Sequence, residues 1–176
     1  MSHDGPIEDA EFSPNADDLV ARNDRFAESF PDAGMAVRPQ RALAVVACMD
    51  ARMDVNALLG LQNGEAHIVR NAGGVITDDV IRSLCLSQRM LGTREIVLVH
   101  HTDCGLQAVD EPAFRKQLES DTGVRPNWAI ESFDDPFEDV RQSIRRLRLT
   151  PFLTHKEHIE GFVYDVETGK ILPVDP

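Results

Sequence analysis

The chain has 176 residues, enough for one domain with a sizeable core, and its apolar (42%) and charged (27%) fractions are ordinary for a globular protein. Its formal net charge of −12 repels the phosphate groups of nucleic acids and the surfaces of anionic membranes. Neither is therefore an expected partner.

Targeting signals and cysteine content together indicate the cellular compartment of the protein. No apolar run approaches the about 18 residues that span a bilayer, and residues 1–11 are polar and acidic, unlike a secretion signal. The three cysteines, at positions 48, 85 and 104, do not form a disulfide framework. We therefore predict a cytoplasmic protein whose reduced thiols are available for metal binding or catalysis.

Residues 1–40 differ from the rest, with nine acidic residues and only three arginines. A helix is predicted from about Ala16 to Phe30, but its few apolar side chains cannot build a core of their own. We interpret residues 1–40 as an N-terminal arm that packs elsewhere, on a partner subunit. A frayed tail is the alternative for residues 1–15.

Residues 41–176 alternate between strand and helix signals, which predicts an α/β fold with a mostly parallel sheet covered by helices. Strands are predicted over 42–47, 66–69, 95–99, 161–166 and 171–174, the last one paired antiparallel after a turn. Helices are predicted from an Asp54 cap to Leu61, from Thr77 or Asp78 to Gly92, just after Pro112, and from Pro136 to Thr150.

Two groups of chemically active residues directly follow predicted strands. Cys48, Asp50 and Arg52 follow the first strand, and His101 and Cys104 follow the third. In an open parallel sheet, ligands bind at the carboxyl ends of the strands. If the first and third strands are neighbours, Cys48 lies within reach of His101 and Cys104.

These three side chains suit zinc. Two thiolates and an imidazole are ligands that Zn²⁺ prefers, and three protein ligands leave the open position of a catalytic site. Zinc lowers the pKa of bound water from about 15.7 towards about 7, which supplies hydroxide at neutral pH. A lone cysteine that ends a strand is usually a core residue. Both motifs together nevertheless favour Cys48, His101 and Cys104 as metal ligands.

Asp50 and Arg52 are predicted to be the catalytic residues beside that metal. They are two positions apart, so both can face the same side of an extended or turning segment. A forked, charge-assisted pair would hold Asp50 off the zinc and let it orient the bound hydroxide.

Gly73, Gly74 and Val75 are predicted to line the substrate pocket. Their segment follows the second strand, and paired glycines permit close backbone approach and positive φ. A tight strand-to-helix turn without a role in substrate binding is an equally good interpretation.

The remaining candidates receive other roles. His100 alternates in direction with His101 and should face away from the metal. His67 lies within a strand pattern and is expected in the core or at an edge. Cys85 lies on the apolar stripe of a helix and is expected in the core.

The stretches 47–52 and 100–105 together resemble the motifs of the β-class carbonic anhydrases, and the match extends from about Ala42 to Val174. They are most similar to the short subgroup of archaea and actinobacteria, whose relatives include carbonyl sulfide hydrolases. Met49, Ala51 and Leu106 depart from the plant-like subgroup, so the pocket details of that subgroup are not transferred.

The resemblance implies reversible hydration of CO₂ to bicarbonate and a proton by zinc-hydroxide attack. It implies zinc on Cys48, His101 and Cys104, with Asp50 and Arg52 as the adjacent dyad. It also implies the strand order 2-1-3-4 with a fifth strand at the edge, helices on both faces, and a homodimer or higher homo-oligomer in which the N-terminal helix embraces the partner.

Two alternatives remain. The same motifs occur in hydrolases of carbonyl sulfide and carbon disulfide, although the short segment 106–135 favours CO₂. A non-catalytic zinc-binding protein is the other alternative, and the intact Asp50 and Arg52 argue against it.

Overall fold

Five strands form one sheet in a computed structural model, which describes residues 13–176. The strands are β1 (Leu43–Cys48), β2 (Ala66–Asn71), β3 (Glu95–His101), β4 (His158–Tyr164) and β5 (Ile171–Val174). They lie in the order β2-β1-β3-β4-β5, and only the β4–β5 pair is antiparallel. The predicted sheet of mostly parallel strands with an antiparallel edge strand is confirmed.

The described residues also contain five α-helices, namely α1 (Ala16–Glu28), α2 (Val55–Leu59), α3 (Asp78–Leu91), α4 (Glu111–Thr122) and α5 (Pro136–Leu149). The Asp54 side chain caps α2 and the Thr77 side chain caps α3, each by accepting a backbone N–H hydrogen bond. Gly92, at φ 79°, ends α3 in the left-handed conformation. No helix in this part of the chain is long and apolar enough to cross a membrane.

Both faces of the sheet are covered, as predicted. Every residue of β1 is buried. Ala44 and Val46 belong to the larger core, which includes side chains of α3 and α5. Val45 and Ala47 belong to a second core on the opposite face, which includes side chains of α2. Burial on both faces explains why β1 is continuously apolar rather than alternating.

Four strands differ from their predicted bounds. β1 spans Leu43–Cys48, one residue later at each end than the predicted 42–47. β2 continues to Asn71 and β3 continues to His101, two residues beyond the predicted ends. β4 begins at His158, before the predicted start at Gly161, and ends at Tyr164. Its first residues alternate between exposed and buried, so they lack the continuous apolar signal of the inner strands.

The strand register brings several carboxyl ends to one edge of the sheet. Ala47 of β1 is paired with Val99 of β3, and Cys48 is paired with Asn71 of β2. Since all three strands are parallel, the residues that follow them surround a common crevice.

The chain divides into two units between Met35 and Ala36, close to the predicted boundary at 40/41. In the first unit, α1 has no buried residue, and Leu19, Val20 and Phe26 are exposed. Residues 1–12, which hold most of the proposed frayed tail, lie outside the described residues. Packing of this unit on a partner subunit stays a prediction.

The contact between β4 and α5 generates a test of the core. A Cβ at Gly161 would overlap Val140 Cγ1 and lie 3.0 Å from Ile144 Cδ1, and both of these residues are fully buried. Gly161→Ala should therefore lower the free energy of unfolding by about 1–3 kcal/mol, as overpacking does. Urea denaturation measures this loss. The same substitution should cost less in a Val140→Ala background, and an equal cost in both backgrounds would contradict the steric explanation.

Candidate metal centre

Three buried side chains converge at the crevice. Cys48 ends β1, His101 ends β3, and Cys104 follows a turn in which Asp103 adopts a positive φ of 54°. Asp tolerates this left-handed conformation better than most residues. The ligand atoms of Cys48, His101 and Cys104 all lie within 4.8 Å of one another. The structure thus brings together the three residues that the sequence predicts as metal ligands.

The His101 ring is oriented by its own neighbour in the chain. Nδ1 lies 2.8 Å from the carbonyl oxygen of Thr102. Because a carbonyl oxygen only accepts, Nδ1 carries the hydrogen, and Nε2 of the neutral ring is the free acceptor. Nε2 is buried and makes no hydrogen bond within residues 13–176. A bound cation would satisfy this buried acceptor, so one imidazole nitrogen and two sulfurs fit a borderline-soft metal ion.

The two thiols interact directly. A hydrogen bond with Cys104 lowers the pKa of Cys48 to about 4, although burial acts in the opposite direction. The same interaction, together with burial, raises the pKa of Cys104 above its usual range. Burial opposes a charge on His101, but the neighbouring Cys48 raises its pKa overall. The cluster therefore combines anionic sulfur with protons that a cation can displace.

The forked ion pair expected between Asp50 and Arg52 is present. Arg52 Nε donates to Asp50 Oδ1 at 2.9 Å, and Nη2 donates to Oδ2 at 2.8 Å. These hydrogen bonds hold the pKa of Asp50 down at about 2, and they raise the pKa of Arg52. Asp50 Oδ2 lies 3.7 Å from His101 Nε2. An ionised carboxylate, fixed by the arginine, thus stands next to the ligand cluster.

Arg52 has a second partner that the sequence analysis missed. Its Nη1 donates to Asp103 Oδ2 at 2.9 Å, and its Nη2 donates to the Asp103 carbonyl oxygen at 2.9 Å. One guanidinium therefore joins the segment after β1 to the turn between His101 and Cys104. The negative charge of Asp103 within the His-x-x-Cys motif was the available signal.

Arg70 also contributes to the site through backbone contacts. Its Nε donates to the Cys48 carbonyl oxygen at 2.9 Å, and its Nη2 donates to the Asp50 carbonyl oxygen at 2.7 Å. Arg70 lies near the end of β2, so these bonds tie the segment after β1 to the neighbouring strand. Residue spacing offers no signal for such a contact, because it depends on strand register.

A cavity of about 300 Å³ opens beside the ligands. The cavity lining combines Cys48, Cys104 and Asp50 with mostly apolar residues, which can contact a small apolar molecule. The lining residues are Cys48, Met49, Asp50, Ala72, Gly73, Cys104, Gly105, Leu106 and Val109.

The three predicted pocket residues occupy different positions. Within the described residues, the lining of this cavity includes Gly73 but neither Gly74 nor Val75. A Cβ at Gly73 would lie 2.6 Å from Leu106 Cδ2, so the two walls meet closely there. A Cβ at Gly74 would lie 2.9 Å from the Cys48 backbone nitrogen, and Val75 is buried. Gly74 therefore packs against the ligand-bearing strand.

The other candidates lie apart from the cluster. His100 is fully buried and points away from it, with Nε2 2.7 Å from Asp139 Oδ2 of α5. His67 is half-buried in the edge strand β2, where Nδ1 lies 2.8 Å from Ser87 Oγ. Cys85 is half-buried on α3 and packs against the larger core. These positions agree with the roles expected from the sequence.

Comparisons of the sequence with known proteins identify a family and several relatives. The family model described as carbonic anhydrase matches residues 43–134. Beta-carbonic anhydrase 1 of Mycobacterium tuberculosis is 51% identical over 160 residues, which cover 91% of this chain and 98% of that protein. Carbon disulfide hydrolase of Acidithiobacillus thiooxidans is 34% identical, covering 79% of this chain and 80% of that protein.

A solved structure also matches this fold closely. The crystal structure of carbonic anhydrase from Streptococcus mutans superposes with a TM-score of 0.86 at 40% sequence identity, covering 93% of this chain and 99% of that chain. Sequence and fold thus agree over nearly the whole chain, and the chain belongs to the carbonic anhydrase family, in its β class.

Proposed function

We propose that this protein is a zinc enzyme that reversibly hydrates CO₂ to bicarbonate and a proton. The observation that carries the proposal is the Nε2 of His101, which makes no hydrogen bond among residues 13–176 and lies with two thiols inside a 4.8 Å cluster beside an arginine-locked carboxylate. Similarity to the mycobacterial β-carbonic anhydrase supports the same reaction for this chain.

Zinc is the metal that this donor set favours. Two sulfurs and one imidazole nitrogen are preferred zinc ligands, and a site with three protein ligands keeps a position open for catalysis. Bound there, zinc supplies the Lewis acidity that makes a water molecule nucleophilic near neutral pH. Cys48, His101 and Cys104 would hold it, and the Thr102 carbonyl oxygen would keep the His101 ring in its binding tautomer.

Asp50 and Arg52 act on the water and not on the metal in this proposal. With a pKa of about 2, Asp50 is ionised at physiological pH and acts only as a hydrogen-bond acceptor. Both carboxylate oxygens are held by Arg52, so the carboxylate is kept at the cavity wall. From there Asp50 can accept a hydrogen bond from the attacking water and orient its lone pair towards carbon.

The apolar side of the cavity suits CO₂, which is linear and has no net dipole. Leu106, Val109 and Met49 line the space next to Asp50 and the sulfurs. Attack of the water oxygen on carbon forms one C–O bond and converts one C=O double bond to a single bond. The products are bicarbonate and one proton, which passes to solvent.

Hydrolysis of carbonyl sulfide or carbon disulfide is the second candidate. The apolar cavity lining and the 34% identity to a carbon disulfide hydrolase favour it as an alternative on the same metal. The higher identity to a carbonic anhydrase, 51%, favours CO₂. A non-catalytic zinc protein would have no use for a locked carboxylate beside an open metal position.

Turnover on a zinc-quantified sample tests this proposal. Near pH 8.5, we expect one zinc per chain and CO₂ hydration much faster than sulfide release from carbonyl sulfide or carbon disulfide. Cys104→Ala should lose most of the zinc and the activity, since it removes a ligand. Cys85→Ala, the matched control outside the cluster, should retain both. Sulfide release faster than CO₂ hydration would show that the substrate is carbonyl sulfide or carbon disulfide and not CO₂. A zinc-loaded protein that is inactive on all three substrates would refute the proposed enzymatic activity.

The Asp50–Arg52 pair has its own test. Arg52→Lys should raise the pKa of Asp50 from about 2 towards the ordinary value of about 3.9, because lysine cannot reproduce the planar fork. A carboxyl-carbon NMR titration of the metal-free protein measures this shift. Arg82→Lys, which alters an exposed pair with Asp79, is the control and should leave Asp50 unchanged. An Asp50 that still titrates near 2 in Arg52→Lys would refute the locking role.

We further propose that the protein is a cytoplasmic homodimer or higher homo-oligomer in which residues 1–40 form an arm that packs on a second copy. The exposed apolar side chains Leu19, Val20 and Phe26 of α1 support this assignment, because they would otherwise face water. A reducing compartment would keep the free Cys48 and Cys104 available for zinc.

Light scattering coupled to size-exclusion chromatography tests whether α1 forms the interface between two copies of the chain. The wild type should have at least twice the chain mass of 19.6 kDa. Leu19→Asp should shift the population towards monomer, because it places a charge on the apolar side of α1. Ala21→Asp adds the same charge at an exposed position on the opposite side of the helix and should not change the mass. If both variants remain dimeric, α1 does not form the interface.

A further inference from the structure

A reciprocal cap holds the turn that presents Cys104. Cys104 is the N-terminal cap of a short 3-10 helix, Gly105–Ala108. Its carbonyl oxygen accepts a hydrogen bond from the backbone N–H of Gln107 at 3.0 Å, and its own backbone N–H donates to Gln107 Oε1 at 3.0 Å. These two bonds close the turn around Cys104 from both directions.

The other end of the Gln107 amide reaches a different segment. Gln107 Nε2 donates to the carbonyl oxygen of Asp134 at 2.8 Å. Asp134 lies between Phe133, whose ring centroid is 5.5 Å from that of His100, and Asp135, whose side chain caps α5. The Gln107 side chain therefore connects the turn after Cys104 to the well-packed start of α5.

We propose that Gln107 is the positioning residue for Cys104, setting the direction of its sulfur for metal binding through this bridge. The proposal rests on the zinc site proposed above. The Gln107 side chain does not touch the cluster; it acts on the backbone N–H of Cys104.

Hydrogen-bond chemistry explains why this role needs a glutamine. The side chain must accept from the Cys104 N–H and donate to the Asp134 carbonyl oxygen at the same time. The glutamine amide offers an acceptor and a donor on separate atoms at the end of a flexible side chain. Without it, the buried Cys104 loses the partner of its backbone N–H, and the turn is free to rotate the sulfur away from His101.

The size of the effect follows from related sites. Groups that orient metal ligands from outside the ligand set typically contribute 10–100-fold to metal affinity. A glutamine that only stabilised the turn would lower the melting temperature but leave the metal environment unchanged. Affinity and spectroscopy on the metal therefore separate positioning from general stability.

The experiment compares the wild type with Gln107→Met, which keeps the length but makes neither bond, and with Gln107→Glu, which keeps an acceptor for Cys104. Gln117→Met, at an exposed glutamine of α4, is the matched control. Zinc affinity is measured by competition with a chromophoric chelator. Cobalt-substituted samples report the sulfur-to-metal charge-transfer band.

We expect Gln107→Met to lose at least about tenfold in zinc affinity and to shift the charge-transfer band. Gln107→Glu should also lose about tenfold, because a carboxylate keeps the acceptor for the Cys104 N–H but cannot donate to the Asp134 carbonyl oxygen, so the bridge to the start of α5 is broken. The control should match the wild type. Circular dichroism confirms that each variant is folded.

Several outcomes would overturn the proposal. Wild-type affinity and spectrum in Gln107→Met would do so, and so would wild-type affinity and spectrum in Gln107→Glu, which would show that the bond to Asp134 is not needed to position Cys104. If Gln107→Met does not fold, Gln107→Asn replaces it, since it is one methylene too short for the bridge and carries the same tenfold expectation. A wild type that binds no zinc at this cluster would instead refute the proposed function.

Discussion

The parallel pairing of β1 with β3 is the constraint on which the rest of the site depends. It brings Cys48 and His101, which are 53 positions apart in the sequence, to the same edge of the sheet. Both strands are buried, so neither can slide without exposing apolar side chains. The core thus sets the distance between the ligand-bearing strands, and the loops need only aim the side chains.

Hydrogen bonds from two arginines then order the polar groups at this edge. Arg70 holds the backbone carbonyls of Cys48 and Asp50, while Arg52 holds the Asp50 carboxylate and the turn at Asp103. The planar guanidinium makes several directed bonds at once, which an ammonium group cannot do. The segments that follow β1 and β3 are therefore coupled through Arg52, so a substitution of Asp103 should alter the position of the Asp50 carboxylate.

Much of the architecture could be predicted because its signals are local. Caps at Asp54, Thr77 and Gly92, and the apolar runs of β1 and β3, each depend on neighbouring residues. The cluster itself required one further assumption, that the first and third strands are adjacent. The cluster could be predicted because two cysteines and a histidine at strand ends are an uncommon combination.

The missed features depend on geometry that no local pattern encodes. The bonds from Arg52 to Asp103 and from Gln107 to Asp134 span 51 and 27 positions, and each requires a particular path of the connecting loop. The start of β4 was misplaced because alternating exposed residues there weaken the apolar signal. The pocket prediction treated Gly73 and Gly74 alike, although only Gly73 lines the cavity among the described residues.

The close packing of Gly74 has a consequence for how such a site can diversify. A side chain there would press on the Cys48 and Ala47 backbone at about 3 Å, and the positive φ of 73° also disfavours any residue but glycine. Gly74, behind the candidate metal centre, is thus closed to substitution. Met49, Leu106 and Val109 instead line the open cavity, where a side chain can change without pressing on this backbone. A lineage that kept the metal and changed the substrate could do so by remodelling that cavity lining.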